Sequence, residues 1–403
     1  VGVKMIRLIQ CSGILLTILL FPQLLAQTHL NLSLSISYDQ NINRNYTGIP
    51  DWIYQTSLDL SQDLRFKKLF IRLKYSGDIE IFQEYQERLF QIHQVGGDVA
   101  LPLSNELALN AGVIRHWRIN KADYKVYDAA AWTVFTHFNW SRWRTSPFAG
   151  GWQFRHREYQ ILTEFSYYEN SGLIRLQNFF PTKTTFIGEL NLAHKKYLAQ
   201  RTVAEIIISE KPKPGKGHGY GWEKRSAKSD TTFVAYNLTV PAILQWRLKM
   251  KLAQSLTATT GLGVEYLYQT LPEASNRYLE RQEYLSENGD ELYDDPYSFG
   301  SQEWQFMLTQ LLPYSGKLRT SMSFIDKEYS YPISGAQSPD ELQSRRQDQQ
   351  QIFSVQLSFP IKLSAFISSS NLFFDWAYLK NKSTDFYFDF KGNLVTGGIE
   401  ISF

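Results

Sequence analysis

Residues 30–38 read Leu-Asn-Leu-Ser-Leu-Ser-Ile-Ser-Tyr. Leu30, Leu32, Leu34, Ile36 and Tyr38 fall on one side, and Asn31, Ser33, Ser35 and Ser37 on the other. A period of two is that of a β-strand with a single apolar face. The pattern repeats at Tyr54, Thr56, Leu58 and Leu60 against Gln55, Ser57, Asp59 and Ser61. A third run sets Leu69, Ile71, Leu73 and Tyr75 against Lys68, Arg72 and Lys74, with Phe70 as the exception.

Alternation continues to the end of the chain. It marks Leu107 to Val113, Trp132 to Trp140, Val234 to Val240, and Leu256 to Tyr268. Further runs follow at Trp304 to Leu308, Leu318 to Phe324, Phe353 to Phe359, Leu372 to Tyr378 and Val395 to Phe403. A soluble sandwich or propeller would also alternate, but it needs neither an apolar stripe on every strand nor loops sorted by length to one end. Membrane barrels need both. With the last strand running down to the periplasm, the long polar segments 40–52, 198–230, 270–299 and 331–349 all fall outside. Short links at 63–66, near Pro181, at 249–254 and at 313–316 fall beneath. The expected fold is all-β: a transmembrane antiparallel up-and-down β-barrel of about 16 strands, with no plug domain and both termini periplasmic. Fourteen strands is the alternative, because 148–168 reads either as one long strand or as a hairpin.

The composition agrees. Of 403 residues, 15% are aromatic, while the mean hydropathy is only −0.32. Barrels join these traits because lipid-facing apolar residues alternate with polar lumen residues, and aromatic rings collect at both interfaces. Lys4 and Arg7 precede the apolar run Gly13–Phe21, so residues 1–26 read as a signal peptide and 27–403 as a single barrel domain. The apolar run falls short of the ~20 residues of a spanning helix. The one cysteine, Cys11, lies in that segment, so no disulfide framework or cysteine-ligated metal is expected in the mature chain. A first strand this close to the cleavage site leaves no room for an N-terminal plug.

By alternation the inner wall is largely small and polar, with Ser33, Ser35, Asn110, Thr133, Ser321 and Ser354 among its residues. The charged lumen candidates are Lys68, Arg72, Lys74, His116, Arg118, Glu189 and Glu265. Charges so placed can set the selectivity of a pore; they can equally be ordinary cross-strand pairs with carboxylates such as Asp59. Residues 195–230 hold nine Lys/Arg against four acids, and 271–303 hold nine acids against two arginines. Opposite fields at one rim can attract each other. The spacing Ser286-Glu287-Asn288-Gly289-Asp290 does not match a calcium loop, so a solvated acidic loop is expected.

No cofactor and no nucleic-acid partner are expected. His116, His137, His194 and His218 have no serine or acid at a defensible catalytic spacing. A passive channel for small hydrophilic solutes is therefore the leading functional expectation. A non-conducting surface scaffold or export and assembly partner is the alternative, with a surface protein or polysaccharide as its ligand. A lipid-acting enzyme comes third.

Gly398-Ile399-Glu400-Ile401-Ser402-Phe403 resembles the terminal strand of bacterial outer-membrane β-barrels, a porin-like class from Gram-negative bacteria. The resemblance rests on Ile399, Ile401 and the aromatic terminus Phe403. It implies insertion by the barrel-assembly machinery into a membrane of lipid and lipopolysaccharide. Tyr38-Asp39-Gln40-Asn41 is similar to the Tyr-Asp-x-Asn of several barrels tied to surface export, and it also reads as an Asx-rich start to an exposed loop.

Overall fold

The computed structural model describes residues 28–142, 145–199, 201–209, 230–238, 242–270, 295–332, 345–363 and 367–403. The expected signal segment, with Cys11, lies outside them, as do His218, Thr239 and the acidic tip around Asp290. The first strands are β1 (Thr28–Asp39), β2 (Asp51–Phe66), β3 (Leu69–Phe82) and β4 (Phe90–Pro102). Next come β5 (Leu107–Asn120), β6 (Ala129–Trp140), β7 (Phe148–Tyr159), β8 (Tyr167–Phe179) and β9 (Thr184–Tyr197). Two short strands follow, β10 (Arg201–Ser209) and β11 (Asp230–Leu238). The rest are β12 (Ala242–Ser255), β13 (Thr260–Gln269), β14 (Phe299–Leu311) and β15 (Lys317–Pro332), then β16 (Arg345–Ile361), β17 (Ser369–Ser383) and β18 (Phe390–Ser402).

Among the described residues, sixteen of these strands close into one antiparallel barrel, and β10 and β11 pair only with each other. The seam is β1 against β18, with Leu34 opposite Ile399 and Leu32 opposite Ile401. The terminal strand thereby completes the wall, and the Phe403 amide donates to the Leu30 carbonyl at 2.9 Å. Closure leaves the barrel no free edge.

Connections sort by length. At the end that holds Thr28 and Phe403, strands are joined by residues 67–68, 103–106, 141–147, 180–183, 256–259, 312–316 and 362–368. The opposite end carries 40–50, 198–241, 270–298 and 333–344, with shorter links between. The stretch 148–180 is a hairpin, β7 and β8, which settles the count at sixteen. Three local expectations are corrected. Residues 249–254 lie inside β12, whose turn is 256–259; residues 63–66 lie inside β2, whose turn is 67–68; and the described part of the alternating run at 234–240, up to Leu238, belongs to β11, outside the barrel.

The alternation maps onto two surfaces. Leu34, Leu73, Val95, Val134, Ile174 and Leu252 are 41–52% exposed on the outside. A soluble protein does not expose an apolar surface around its whole circumference; a bilayer covers it. The buried apolar groups gather instead at the long-connection end, in clusters around Tyr124, Tyr127 and Phe165, around Tyr167, Tyr197 and Tyr297, and around Ile42, Phe82 and Phe90. There the short 3-10 turns Gln86–Arg88, Ala122–Tyr127, Thr163–Phe165 and Pro296–Ser298 tuck against the strand ends.

Candidate functional site

The site is the inner wall. A closed sheet of this strand number is wide enough to enclose water rather than a packed core. Side chains on alternate positions of every strand face it, and small hydroxyls bond across strands there: Ser37 with Thr396 at 2.8 Å and Ser321 with Ser354 at 2.7 Å.

The charges on this wall are arranged by strand register. Arg72 Nε donates to Asp63 Oδ1 at 2.5 Å, and Lys74 Nζ to Asp98 Oδ1 at 2.7 Å. Across the barrel Arg175 pairs with Glu189 at 3.3 Å. Two lysines, Lys249 at 2.8 Å and Lys251 at 3.7 Å, share the single carboxylate Glu265. Arg118 is buried, donates to Asn120 Oδ1 at 3.2 Å and lies 4.5 Å over the Phe90 ring. His116 faces inward two residues before it. Lys68 is exposed in the turn 67–68 and does not line the wall. Asp59 is not the partner of Arg72 or Lys74, because the registers of β2–β3 and β3–β4 bring Asp63 and Asp98 opposite Arg72. His137 is an inward residue of β6, whereas His194 lies within β9 on its outer face, not in the basic loop. Thr257 and Thr259 belong to the turn 256–259, and Asn237 to β11.

Two arcs of opposite sign result. On β2 and β3 and on β17 and β18, the inward carboxylates Asp59, Asp78, Glu80, Asp375 and Glu400 have no ion pair among the described residues. The opposing arc, β7 to β12, carries Arg155, Arg157, Arg175, Arg247, Lys249 and Lys251. Next to it, near the short-turn end, an open recess is lined by Lys183, Lys251 and Arg319 with Gln254 and Thr309, and with no carboxylate. The arcs depend on which strands are neighbours, and Lys249 and Lys251, expected in the link 249–254, join the wall because β12 continues to Ser255.

One pair joins the two oppositely charged long segments. Lys195 of β9 and Asp295, the residue before the turn Pro296–Ser298, form a salt bridge with side chains only 2% and 4% exposed. Lys195 Nζ lies 4.1 Å from the centre of the Tyr167 ring and about 5 Å from those of Tyr197 and Tyr297. Asp295 Oδ1 accepts the Tyr297 amide at 3.0 Å, and the Tyr197 hydroxyl donates to Oδ2 at 3.3 Å. Burial and the neighbouring Glu169 carboxylate push the Tyr297 phenol above the ordinary tyrosine range, so it stays protonated and bonds Glu169. Gln245 and Gln269 each donate a 2.7 Å hydrogen bond to the Pro296 carbonyl. The turn is thus fastened to the inner ends of β9, β12 and β13.

A similar anchor stands at β15–β17. Arg346, stacked 4.0 Å from the Tyr329 ring centre and 3.4 Å from that of Phe388, pairs with Asp348. Asp348 also accepts from Asn381 at 3.1 Å and from Ser383 at 2.6 Å.

A closed sixteen-strand antiparallel barrel with an apolar outside, a charged polar inside and connections sorted by length is an outer-membrane β-barrel of porin-like architecture. No family model and no curated sequence matches the chain. Among solved structures it is similar to Pseudomonas aeruginosa OccK5 (OpdH), at 10% identity and TM-score 0.48, over 94% of this chain and 99% of that one. It is similar also to OccD3 (OpdP) of the same organism, at 11% identity and TM-score 0.49, over 93% and 91% of the two chains. Pseudomonas aeruginosa OprD gives 9% identity and TM-score 0.48 over 94% and 95%. The class assignment rests on this chain's own strand order, belt and lumen.

Proposed function

We propose that the protein is a passive outer-membrane channel for small hydrophilic solutes, with both termini periplasmic and the long connections outside. The observation that carries this reading is a closed wall of sixteen strands whose inner face is hydroxylic, amide-bearing and charged in two opposed arcs. Such a wall wets readily and orients polar solutes. Purified, folded protein in planar bilayers should give discrete single-channel conductance; a folded preparation that never conducts sinks the proposal.

The cationic recess adds a second expected result. Replacing Lys183, Lys251 and Arg319 together by glutamine should move the zero-current potential under a salt gradient toward cation preference. The barrel fold should be retained, because each of these side chains faces water. An unchanged potential removes the recess from the conduction path.

The non-conducting scaffold is the reading that the Lys195–Asp295 anchor favours, because that pair draws the end of the 270–298 connection against the inner wall. A stoichiometric partner that co-purifies with a silent barrel selects it. We further propose that Ile399, Ile401 and Phe403 present the terminal strand to the assembly machinery. Deleting Phe403 should then lower the yield of inserted barrel without changing chain synthesis.

A further inference from the structure

The outer surface of β5 to β9 carries a feature that conduction does not use. Arg115, Trp132, His156, Tyr168 and Lys196 face one another in turn across five successive strands. Opposed residues of an antiparallel pair stand about 4.5–5.5 Å apart, so basic side chains and aromatic rings alternate along one continuous row. All five share the outward parity of the exposed Val113, Val134, Trp152, Ile174 and Leu192.

The row begins at the edge of the apolar belt. Trp140 is opposite Leu107 and Trp132 is opposite Arg115. At about 3.4 Å per residue and a tilt of about 40°, these two tryptophans stand about 21 Å apart along the barrel axis. That is close to the belt height of about 25 Å between aromatic girdles. Trp132 thus stands at girdle height on the long-connection side with Arg115 beside it, and Trp117 and Ile119 lie further out on the same face of β5. The same tilt raises the row by about 12 Å between Arg115 and Lys196, and Lys196 is exposed near the very end of β9.

The permanent cations of this row, Arg115 and Lys196, have no counter-charge among the described residues. Arg115 Cζ lies 4.7 Å from the Trp132 ring centre and 5.7 Å from that of Trp117. Among the described residues its guanidinium has no carboxylate and no hydrogen-bond acceptor, and Lys196 has no partner. His156 Nε2 lies 3.6 Å from Glu158 Oε1 on the same strand. A cation on the lipid face of a barrel is costly unless something neutralises it. On the other wall the row Tyr268, Gln302, Asp326, Gln349 carries a carboxylate across β13 to β16 and meets a cation only at Lys382 of β17.

We propose that the row Arg115–Trp132–His156–Tyr168–Lys196 binds the headgroup of a phosphorylated glycolipid in the leaflet at the long-connection end. Arg115 presents its forked donors to a phosphate at the belt edge. Lys196 meets a second anionic group about 12 Å further out, a span no single small phosphate covers. The rings of Trp132 and Tyr168 offer flat apolar faces to the sugars between. The site lies on the opposite surface of the wall from the lumen, so it stands whether or not the barrel conducts.

The test uses the whole protein in phosphatidylcholine nanodiscs doped with lipopolysaccharide, with lipid retention read by native mass spectrometry. Wild type should retain lipopolysaccharide, R115Q/K196Q should bind it about ten-fold more weakly, and R115K should fall between because it keeps charge but loses the fork. Equal retention by wild type and R115Q/K196Q overturns the proposal. Phosphatidic acid bound as tightly as lipopolysaccharide overturns the glycolipid assignment in favour of a single-phosphate site. Displacement by inorganic phosphate at matched concentration overturns the lipid source. K196Q alone, at an exposed strand end, supplies a variant whose folding is not at risk; it should lower lipopolysaccharide retention and leave phosphatidic acid unaffected.

Discussion

Replacing Lys195 by methionine is expected to destabilise the protein by about 3–5 kcal/mol, because it takes the bonded ammonium away from a buried carboxylate. The pair is shut off from water, with Lys195 Nζ among the rings of Tyr167, Tyr197 and Tyr297, and the hydrogen bonds that Asp295 accepts from the Tyr197 hydroxyl and the Tyr297 amide do not supply a full positive charge. The effect should appear first as faster hydrogen exchange at 295–301, then as a lower denaturation midpoint in guanidinium. The double variant K195M/D295N should recover most of the loss, since a neutral amide is far less costly to bury than an unpaired charge. If the double variant is as unstable as K195M, the two side chains are not coupled and the anchor resides in Gln245, Gln269 and the packed rings. The same experiment reports on the channel mouth: release of the 295–298 turn from the wall should change conductance noise in a functional pore.

Arginine substitutions on the two faces of the wall should have opposite consequences. Ile174 is 52% exposed near the middle of β8, opposite Gly150 on one side and Leu190 on the other. Ile174→Arg places a guanidinium close to the bilayer midplane and should cost about 2–4 kcal/mol. Ser35→Arg puts the same group on the inner face of β1, opposite Gln55 and Gly398, where water solvates it. That variant should keep its stability and alter conductance instead. Equilibrium unfolding in lipid vesicles distinguishes them; similar losses for both would mean that the assigned outer and inner faces are wrong.

Most of the barrel was legible in the chain. Leu30 to Tyr38 shows why: in a strand whose two faces meet lipid and water, the solvent dictates every second residue, and the pattern needs no knowledge of neighbours. The misreadings have the same root. Val234, Tyr236, Leu238 and Val240 alternate as a wall strand does, yet alternation says nothing of which sheet a strand joins, and 230–238 pairs with 201–209. Residues 249–254 resembled a polar link because the inward Lys249 and Lys251 are followed by the polar Gln254, and that masked the outward Met250 and Leu252 of a continuous strand.

The charged wall was legible only in part. Arg72, Lys74, Glu189 and Glu265 could be assigned to the inner face by parity, but not matched to Asp63, Asp98, Arg175 and the Lys249–Lys251 pair. Lys195 and Asp295 lie one hundred residues apart, each in a segment that reads as a solvated charged loop.

Period and turn length are local properties, so the order of residues already implies an antiparallel barrel of about sixteen strands, with fourteen left open by 148–168, and the facing of most wall residues. Register and strand neighbourhood are relations between distant segments, set when the sheet closes and shears. They alone make two opposed arcs from scattered lumen charges, bury Lys195 against Asp295, and align Arg115 with Lys196 on a row facing the membrane.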